Sequence, residues 1–334
     1  MFLKLKNNHP YLFAIVVYLI FMVCLNIGSA IFYGISYATA LDKGMADALS
    51  TLVGELVAAL VLCLILKKTG MFSLLSKKGK GFFAGLIVGA YCLVFIALIF
   101  IRGLMGDEDT NGLTINFTAT SVVFIISMFA IGITEEIAAR ALISETMLEH
   151  FGTTHTSIIK AALVTGVIFG GMHVTNMLVA PVDVTIYQMI LCFTAGTLYT
   201  AIYYRSGNLW SIAFIHGLND AGAGMVTWLY QGGVEATEQA SAITAGDMIY
   251  IVVIGVVELA VAYFLLRKSK TQEVQMYWPE VAEAQTAAKS QAVIDTQTVI
   301  DTQTVTETQN VTETQSAAEP QAVAADTLED IQNK

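Results

Sequence analysis

The stretch TSVVFIISMFAIGITEEIAARALISE, residues 120–145, decides the fold of this chain. Its first fifteen residues are uncharged and mostly apolar, and they are followed by Glu135, Glu136 and, four positions later, Arg140. Such a run is typical of a membrane-spanning helix, in which a charged side chain near the centre costs roughly 2.5 to 3.5 kcal/mol. These charges therefore indicate mutual pairing, water access or a function.

The rest of the chain has the same apolar character. Of its 334 residues, 55% are hydrophobic and 13% are charged, and a mean hydropathy of +0.66 excludes an ordinary soluble domain. Roughly eight apolar runs reach the length of about 20 residues that spans a bilayer. They begin near Tyr11, Ala46, Phe82, Thr120, Ser157, Thr185, Leu209 and Met248. The predicted fold class is an all-α polytopic membrane bundle of about eight transmembrane helices.

The loop charges predict how the chain sits in the membrane. Five lysines lie between residues 67 and 80, and three basic residues follow the last run at 267–270. The connection at 107–109 is acidic instead. By the positive-inside rule, the lysine-rich loops face the cytoplasm. We therefore predict a multi-pass protein of the cell membrane with both termini cytoplasmic.

The chain divides into two predicted parts. Residues 1–268 form one transmembrane domain, because the connections between the runs are too short to hold a second core. In residues 269–334 an acidic residue recurs every six positions from Asp295 to Glu319, in a background of Thr, Gln and Val. Such a low-complexity segment cannot bury enough apolar surface to offset its ordering entropy. We predict a disordered cytoplasmic tail.

The acidic balance of the chain belongs to this tail. From residue 271 onward there are eleven acidic residues and two lysines, so about −9 of the formal charge of −10 lies there. The membrane part is nearly neutral and has no basic stripe. No nucleic-acid partner is expected.

The paired glutamates have different predicted neighbours. If this stretch is a helix, Glu136 and Arg140 share one face at the spacing that lets a carboxylate pair with a guanidinium. Glu135 points about 100° away from its neighbour and lacks that partner. Glu136 is then structural, and Glu135 is available as a base. An ordinary ion-pair cluster at the end of a span is the alternative.

Two histidines occur in later apolar runs. His173 follows Phe169 by four residues, and three glycines between 166 and 171 allow another helix to approach closely. His216 precedes Asp220 by four residues, a spacing at which the carboxylate can orient the imidazole and fix its tautomer. Each histidine alone is also explained as a hydrogen-bonded core residue. A bundle that holds both acids and imidazoles in lipid indicates that it uses them.

Three motifs resemble those of the CPBP intramembrane proteases, also called the Abi family, which is named for CAAX proteases and bacteriocin-processing or immunity proteins. They are EExxxR at 135–140, FxxxH at 169–173 and Hxxx(Asn/Asp) at 216–220, in the family's order. The resemblance covers residues 120–224. It implies an all-helical fold with a cavity open to the cytosolic side, and peptide hydrolysis at that cavity.

The resemblance also implies roles for single residues. The implied catalytic residues are Glu135, Glu136, Arg140, His173, His216 and Asp220. Glu135 is the general base that activates water, and Glu136 with Arg140 braces the site. The two histidines and Asp220 position the water and stabilise the oxyanion. Asp220 stands where eukaryotic-type enzymes carry Asn, which leaves its role less defined.

A metal is a second way to activate the water. His173, His216 and Glu136 could hold Zn²⁺ and leave one position open for water, as in a metalloprotease. The chain has no HExxH motif, and a glutamate-activated water needs no ion. Both chemistries stay open. Two further acids within the runs, Glu55 and Glu258, could face the cavity, but they are predicted instead to line helix contacts or snorkel, outside the site.

The predicted function is an intramembrane endopeptidase. Its partners would be a lipid bilayer and a peptide or membrane-protein substrate, including a bacteriocin or signalling peptide. The alternative is a non-catalytic bacteriocin self-immunity factor or a scaffold that regulates a partner protein through the same cavity. A proton-coupled transporter ranks last, because the chain has only four prolines and no evident internal repeat.

Overall fold

The computed structural model describes residues 1–39, 41–106, 112–233, 236, 243–288, 290, 291 and 294. Its helices to the middle of the chain are α1 Phe2–Asn8, α2 Pro10–Thr39, α3 Lys43–Thr69, α4 Phe82–Val88, α5 Ala90–Met105 and α6 Ala119–Glu136. The later helices are α7 Glu145–Phe151, α8 His155–Met172, α9 Val182–Ser206, α10 Leu209–Ala223, α11 Met225–Leu229, α12 Ala245–Leu265 and α13 Thr271–Tyr277. A π-helix, Ile137–Ser144, joins α6 to α7, and a 3₁₀-helix, His173–Leu178, follows α8.

The all-α membrane bundle predicted from the sequence is confirmed. Among the described residues, six helical segments are long and apolar enough to cross a membrane: α2, α3, α6 through α7, α8 with its 3₁₀ turn, α9 and α12. Large apolar side chains point outward on them, as at Ile15, Leu19 and Val23 of α2, which are each about half exposed. This is the surface that a helix presents to lipid.

The number of spans differs from the predicted eight. The run at Phe82 becomes α4 and α5, which meet at a bend of 78° and could together form a seventh span. The run at Leu209 becomes α10, a helix of 15 residues. At 1.5 Å per residue it is roughly 22 Å long, short of the hydrocarbon core of about 30 Å. The acidic connection at 107–109 lies outside the described residues, and the orientation of the termini stays a prediction.

Close helix packing places α6 against α10 and α8 against α9. A Cβ at Gly132 of α6 would lie 2.5 Å from the backbone nitrogen of Gly217 in α10, so this crossing needs glycine. In α8, Gly166 and Gly170 meet α9 in the same way, as the glycine pattern predicts, whereas Gly171 faces open space. The helices that carry the candidate site residues therefore pack backbone to backbone.

A two-residue turn fixes α10 beside α9. Gly207 ends α9 in the left-handed conformation, with φ of 62°. Asn208 then caps α10, its side chain accepting a hydrogen bond of 2.9 Å from the amide of Ser211. The Asn208 side-chain amide also donates to the carbonyl of Lys78 at 3.0 Å. This turn sets the register of the helix that carries His216.

The first compact unit extends to Val281, beyond the predicted domain boundary at 268. In α13, Glu273 forms ion pairs with Lys80 and, at 3.0 Å, with Arg205. Trp278 follows, is 1% exposed, and donates from Nε1 to Glu145 at 2.7 Å. These contacts make residues 271–278 part of the bundle and not of the tail. A second unit begins at Ala282, and the repeats from Asp295 to Glu319 lie outside the described residues.

Candidate active site

The paired glutamates stand where the α-helix gives way to the π-helix. Glu135 and Glu136 are the last residues of α6, and all eight residues of the following π-helix are buried. A π-helix widens the turn by shifting backbone hydrogen bonds to i→i+5, and such segments are frequent at functional sites. No residue pattern in the sequence predicts this feature. It brings every side chain of residues 137–144, Arg140 included, into the protein interior.

Glu136 and Arg140 form a wholly buried ion pair. Arg140 Nε lies 2.9 Å from Glu136 Oε2, and neither side chain has any exposed surface. The alignment is not that of a hydrogen bond, and the described residues offer no hydrogen-bond acceptor to the two Nη atoms. Instead the guanidinium carbon stands 4.7 Å from the ring centre of Phe169 and 5.6 Å from that of Tyr199. Charge and aromatic faces hold this arginine in place.

Glu136 also orients His216, 80 residues away in sequence. Its Oε1 lies 2.8 Å from His216 Nδ1, so the carboxylate accepts from a protonated Nδ1 and fixes the orientation of the ring. The His216 ring packs edge-on against Phe169 and Tyr199. The sequence pattern had given the orienting role to Asp220, and the structure gives the hydrogen bond to Glu136.

The second nitrogen of His216 faces two other carboxylates. Its Nε2 lies 3.7 Å from Glu135 Oε2 and 3.5 Å from Asp220 Oδ2. Both distances are longer than a good hydrogen bond. The Glu135 side chain keeps 16% of its surface exposed, whereas that of Glu136 has none. Of the two neighbouring glutamates, Glu135 is thus the one that a substrate or a water molecule can reach.

His173 approaches the site from α8. It stands where α8 changes into the 3₁₀-helix, with Nδ1 3.0 Å from the carbonyl oxygen of Phe169 and Nε2 3.6 Å from Cys192 Sγ. Since a carbonyl can only accept, Nδ1 carries the proton and Nε2 is left as an acceptor. Phe169 packs edge-on against His173 as well as His216. The phenylalanine of the FxxxH motif therefore supports both histidines and the arginine.

A residue outside the motifs holds the turn that carries His173. The Tyr18 hydroxyl of α2 donates to the Met172 carbonyl and lies 3.1 Å from Thr175 Oγ1. The sequence offers no signal for this role, because it joins helices that are more than 150 residues apart. Tyr199, which packs under His216 and Arg140, is a second site residue that no motif indicates.

A cavity of about 620 Å³ opens at these side chains. Glu135, His173, His216 and Asp220 all line it, and most of the remaining wall is apolar or aromatic, with contributions from α2, α5 and α12. The volume lies within the range of about 300 to 1,000 Å³ typical of ligand pockets. All four cavity-facing candidates thus meet in one space, while Glu136 and Arg140 stand behind it.

The side chains predicted to hold a metal are already engaged with other partners. Across the part of the chain that the structure describes, no three His, Cys, Asp or Glu side chains converge as metal ligands. Within the predicted set, Glu136 is bound to Arg140 and to Nδ1 of His216, and His173 Nδ1 faces a carbonyl. As arranged here, His173, His216 and Glu136 do not form a metal centre. Metal dependence of the activity stays an open prediction.

The candidate site residues lie within a segment that matches a known protein family. Residues 117–222 match the Rce1-like family model. That model is described as type II CAAX prenyl endopeptidase Rce1-like, and the matched range contains all three motifs. The predicted resemblance to the CPBP and CAAX protease family is confirmed, and the Rce1-like match implies a protease. A comparison with curated proteins finds no match.

The Rce1-like segment and the apolar helices together describe a multi-pass membrane protein. The segment covers α6 through α10, which supply every motif residue. The cavity also takes side chains from α2, α5 and α12, which lie outside the matched range. The site is therefore completed by helices on both sides of the Rce1-like segment.

Proposed function

We propose that this protein is an intramembrane endopeptidase in which Glu135 is the general base for the hydrolysis of a peptide bond of the substrate. One observation carries the proposal: a reachable carboxylate stands beside the Nε2 of a histidine whose Nδ1 is held by a buried Glu136–Arg140 pair. A structural ion-pair cluster needs no such division between two adjacent glutamates. The division fits a general base supported by a fixed neighbour.

In the proposed reaction Glu135 takes a proton from a water molecule as the water oxygen attacks the peptide carbonyl carbon. The carbonyl oxygen becomes an oxyanion in the tetrahedral intermediate. Glu135 then returns the proton to the leaving nitrogen as the C–N bond breaks. The products are a carboxylic acid and an amine, and Glu135 ends in its starting state. No metal enters these steps.

The histidines supply the polar contacts of the intermediate. His216 protonated at both nitrogens would donate from Nε2 to the oxyanion while Nδ1 stays bound to Glu136. Asp220, 3.5 Å from Nε2, stabilises that charged ring. His173 faces the cavity with Nε2 as an acceptor, which suits it to hold the attacking water. Arg140 pairs with Glu136, and Glu136 in turn holds His216.

The substrate class follows from the cavity wall and from the family match. The wall is mostly apolar and aromatic, which fits a hydrophobic or membrane-associated peptide. The Rce1-like description names a CAAX prenyl endopeptidase, so a prenylated C-terminal peptide is one candidate. An unmodified hydrophobic peptide, such as a bacteriocin or signalling precursor, is the other.

The test is cleavage of quenched peptides by the full chain in lipid nanodiscs. The panel contains prenylated CAAX peptides and matched unprenylated hydrophobic peptides, and it is run for the parent protein and Glu135→Gln. We expect cleavage by the parent and a loss of at least about 1,000-fold in the variant, because general base and intermediate support are lost together. Equal rates for both would refute the role of Glu135.

One additional arm and one further outcome separate the alternatives. A chelator arm decides whether a metal is required, with unchanged cleavage expected. If neither protein cleaves any peptide, the non-catalytic scaffold becomes the better account.

A further inference from the structure

The cavity has a second polar position, away from the motif residues. On α12, Tyr250, Ile254 and Glu258 are spaced four residues apart, and all three line the cavity. Residues at this spacing share one helix face. The sequence alone indicates a helix contact or snorkelling for Glu258. The structure instead turns the α12 face that carries it toward the cavity that holds Glu135.

Glu258 is buried and held in one direction. Its residue surface is 7% exposed, and Thr194 of α9 donates to its Oε2 at 2.6 Å. A Cβ at Gly255 would lie 3.1 Å from Thr194 Cγ2, so α9 and α12 meet closely at this point. Thr194 is the one side chain that the described residues give Glu258 as a hydrogen-bond partner. Its other oxygen is left for a group inside the cavity.

Apart from the two histidines, the charged side chains in the described lining of the cavity are acidic. Its described lining contains the acids Glu135, Asp220 and Glu258, and it contains no lysine or arginine. Arg140, the arginine of the EExxxR motif, is wholly buried against Glu136 and two aromatic rings. A buried carboxylate with no counter-charge is costly, and a cation that pairs with it removes part of that cost. The cavity is therefore suited to accept a positive group.

We propose that Glu258 forms a specificity subsite that binds a lysine or arginine side chain of the substrate peptide. The inference rests on the proposed peptidase function and extends it by naming a substrate feature. The apolar wall takes the rest of the peptide, and Glu258 pairs with one basic side chain next to the cleaved bond. Nothing in the three motifs encodes this preference, since α12 lies outside the Rce1-like segment.

The first test compares peptide pairs that differ at one position. Each pair has lysine against methionine, or arginine against citrulline, so length and shape are kept while the charge is removed. We expect the parent to prefer the basic member, and Glu258→Gln to lower the basic-to-neutral ratio of kcat/KM about tenfold or more. Thr194→Val, which leaves the carboxyl but frees its orientation, should lower the ratio less.

A matched control separates recognition from structure. Asp247 is a carboxylate of the same helix that lies outside the cavity and caps its N-terminus with Thr244. Asp247→Asn should keep the ratio of the parent. An equal loss for basic and neutral peptides in Glu258→Gln, or an unchanged ratio, would overturn the proposal. A structural role would move both rates together.

A binding arm keeps this inference separate from the proposed function. Glu135→Gln and the double variant Glu135→Gln, Glu258→Gln are titrated with the same fluorescent peptides in nanodiscs. We expect tighter binding of the basic peptide only while Glu258 is present. Discrimination between the peptides without cleavage would refute the proposed peptidase function and support the subsite. Cleavage without discrimination would support the peptidase function and refute the subsite. If the protein shows no cleavage and no discrimination, both proposals are refuted.

Discussion

Adjacent residues of one type can differ in function when their surroundings differ. Glu135 and Glu136 have the same side chain, yet one reaches a cavity and the other is wholly buried and pairs with Arg140 and His216. The helix rotates by about 100° between them, which is enough to place one carboxylate in the interior and one in the cavity. Substitutions at the two positions should therefore fail in different ways.

The first prediction compares Glu135→Gln with Glu136→Gln. The first should abolish cleavage and leave the midpoint of thermal unfolding nearly unchanged, because the closest ion-pair partner that the described residues give its carboxylate is His216 Nε2, at 3.7 Å. The second leaves Arg140 buried without its counter-charge, an effect of about 3 to 5 kcal/mol. Thermal unfolding in nanodiscs and peptide cleavage measure the two losses. Similar unfolding midpoints for both variants would contradict the assigned roles.

The site shows how far local spacing predicts contacts. The i,i+4 pattern correctly placed Glu136 beside Arg140 and Phe169 beside His173, because both pairs lie within a turn of helix. It failed for the orientation of His216, where a carboxylate on another helix lies closer than the local Asp220. The π-helix and the cavity position of Glu258 were also missed. These depend on how helices pack against each other, which periodicity in one segment does not report.

At the scale of helices, the α6–α10 crossing sets the distance between Glu135 and His216. Gly132 is less than one turn before Glu135, and Gly217 directly follows His216. Their backbones touch, so the spacing of the two candidate catalytic side chains depends on the absence of a Cβ there. Displacement by even about 1 Å can reduce a reaction rate 100-fold.

The second prediction is that Gly132→Ala lowers kcat at least about tenfold, because the added methyl forces α6 and α10 apart. Gly34→Ala is the control, since a Cβ at Gly34 of α2 meets nothing within 4 Å. The control should keep its activity and gain up to about 1 kcal/mol in stability, as helical glycines do on replacement. Steady-state kinetics and thermal unfolding distinguish the two. Full activity in Gly132→Ala would mean that the crossing can adjust.

The helix α13 is held by charge as well as by Trp278. Burial raises the pKa of Glu273, but the hydrogen bond from Lys80 and the charge of Arg205 lower it below its usual value overall. A lowered pKa means that the ion pairs stabilise the folded state above the unfolded pKa of about 4.3. That contribution is lost as the pH falls through the lower folded value.

The third prediction follows from the lowered pKa of Glu273. In a variant with Trp210 and Trp228 replaced by Phe, the emission of Trp278 should shift to longer wavelength on acidification below about pH 4. Adding Glu273→Gln should produce the shifted emission already at neutral pH and reduce its pH dependence. If emission is the same in both proteins at every pH, Glu273 does not hold this helix.

At the scale of the whole molecule, the bundle ends later than composition indicates. The change from apolar to acidic sequence begins near residue 269, yet Trp278 is buried and the first compact unit extends to Val281. Composition failed here because a short amphipathic helix needs only one large apolar side chain and a few ion pairs to dock. Trp278 donates a hydrogen bond to Glu145, the first residue after the π-helix that contains Arg140.

The fourth prediction compares two truncations within this region. A chain ending at Val281 should fold, unfold thermally like the full chain and keep its cleavage activity, because the contacts of α13 and Trp278 remain. A chain ending at Lys270 loses Glu273 and Trp278, leaves Glu145 buried without its hydrogen-bond donor, and should lose about 2 to 5 kcal/mol of stability. Since Glu145 continues the glutamate-bearing helix, cleavage should fall together with the stability.

Trp278→Phe in the full chain is the narrower control: it keeps an aromatic ring, removes the hydrogen-bond donor and should produce only part of the loss of stability. Equal stability of both truncations would place the end of the folded bundle before α13, as composition alone predicts.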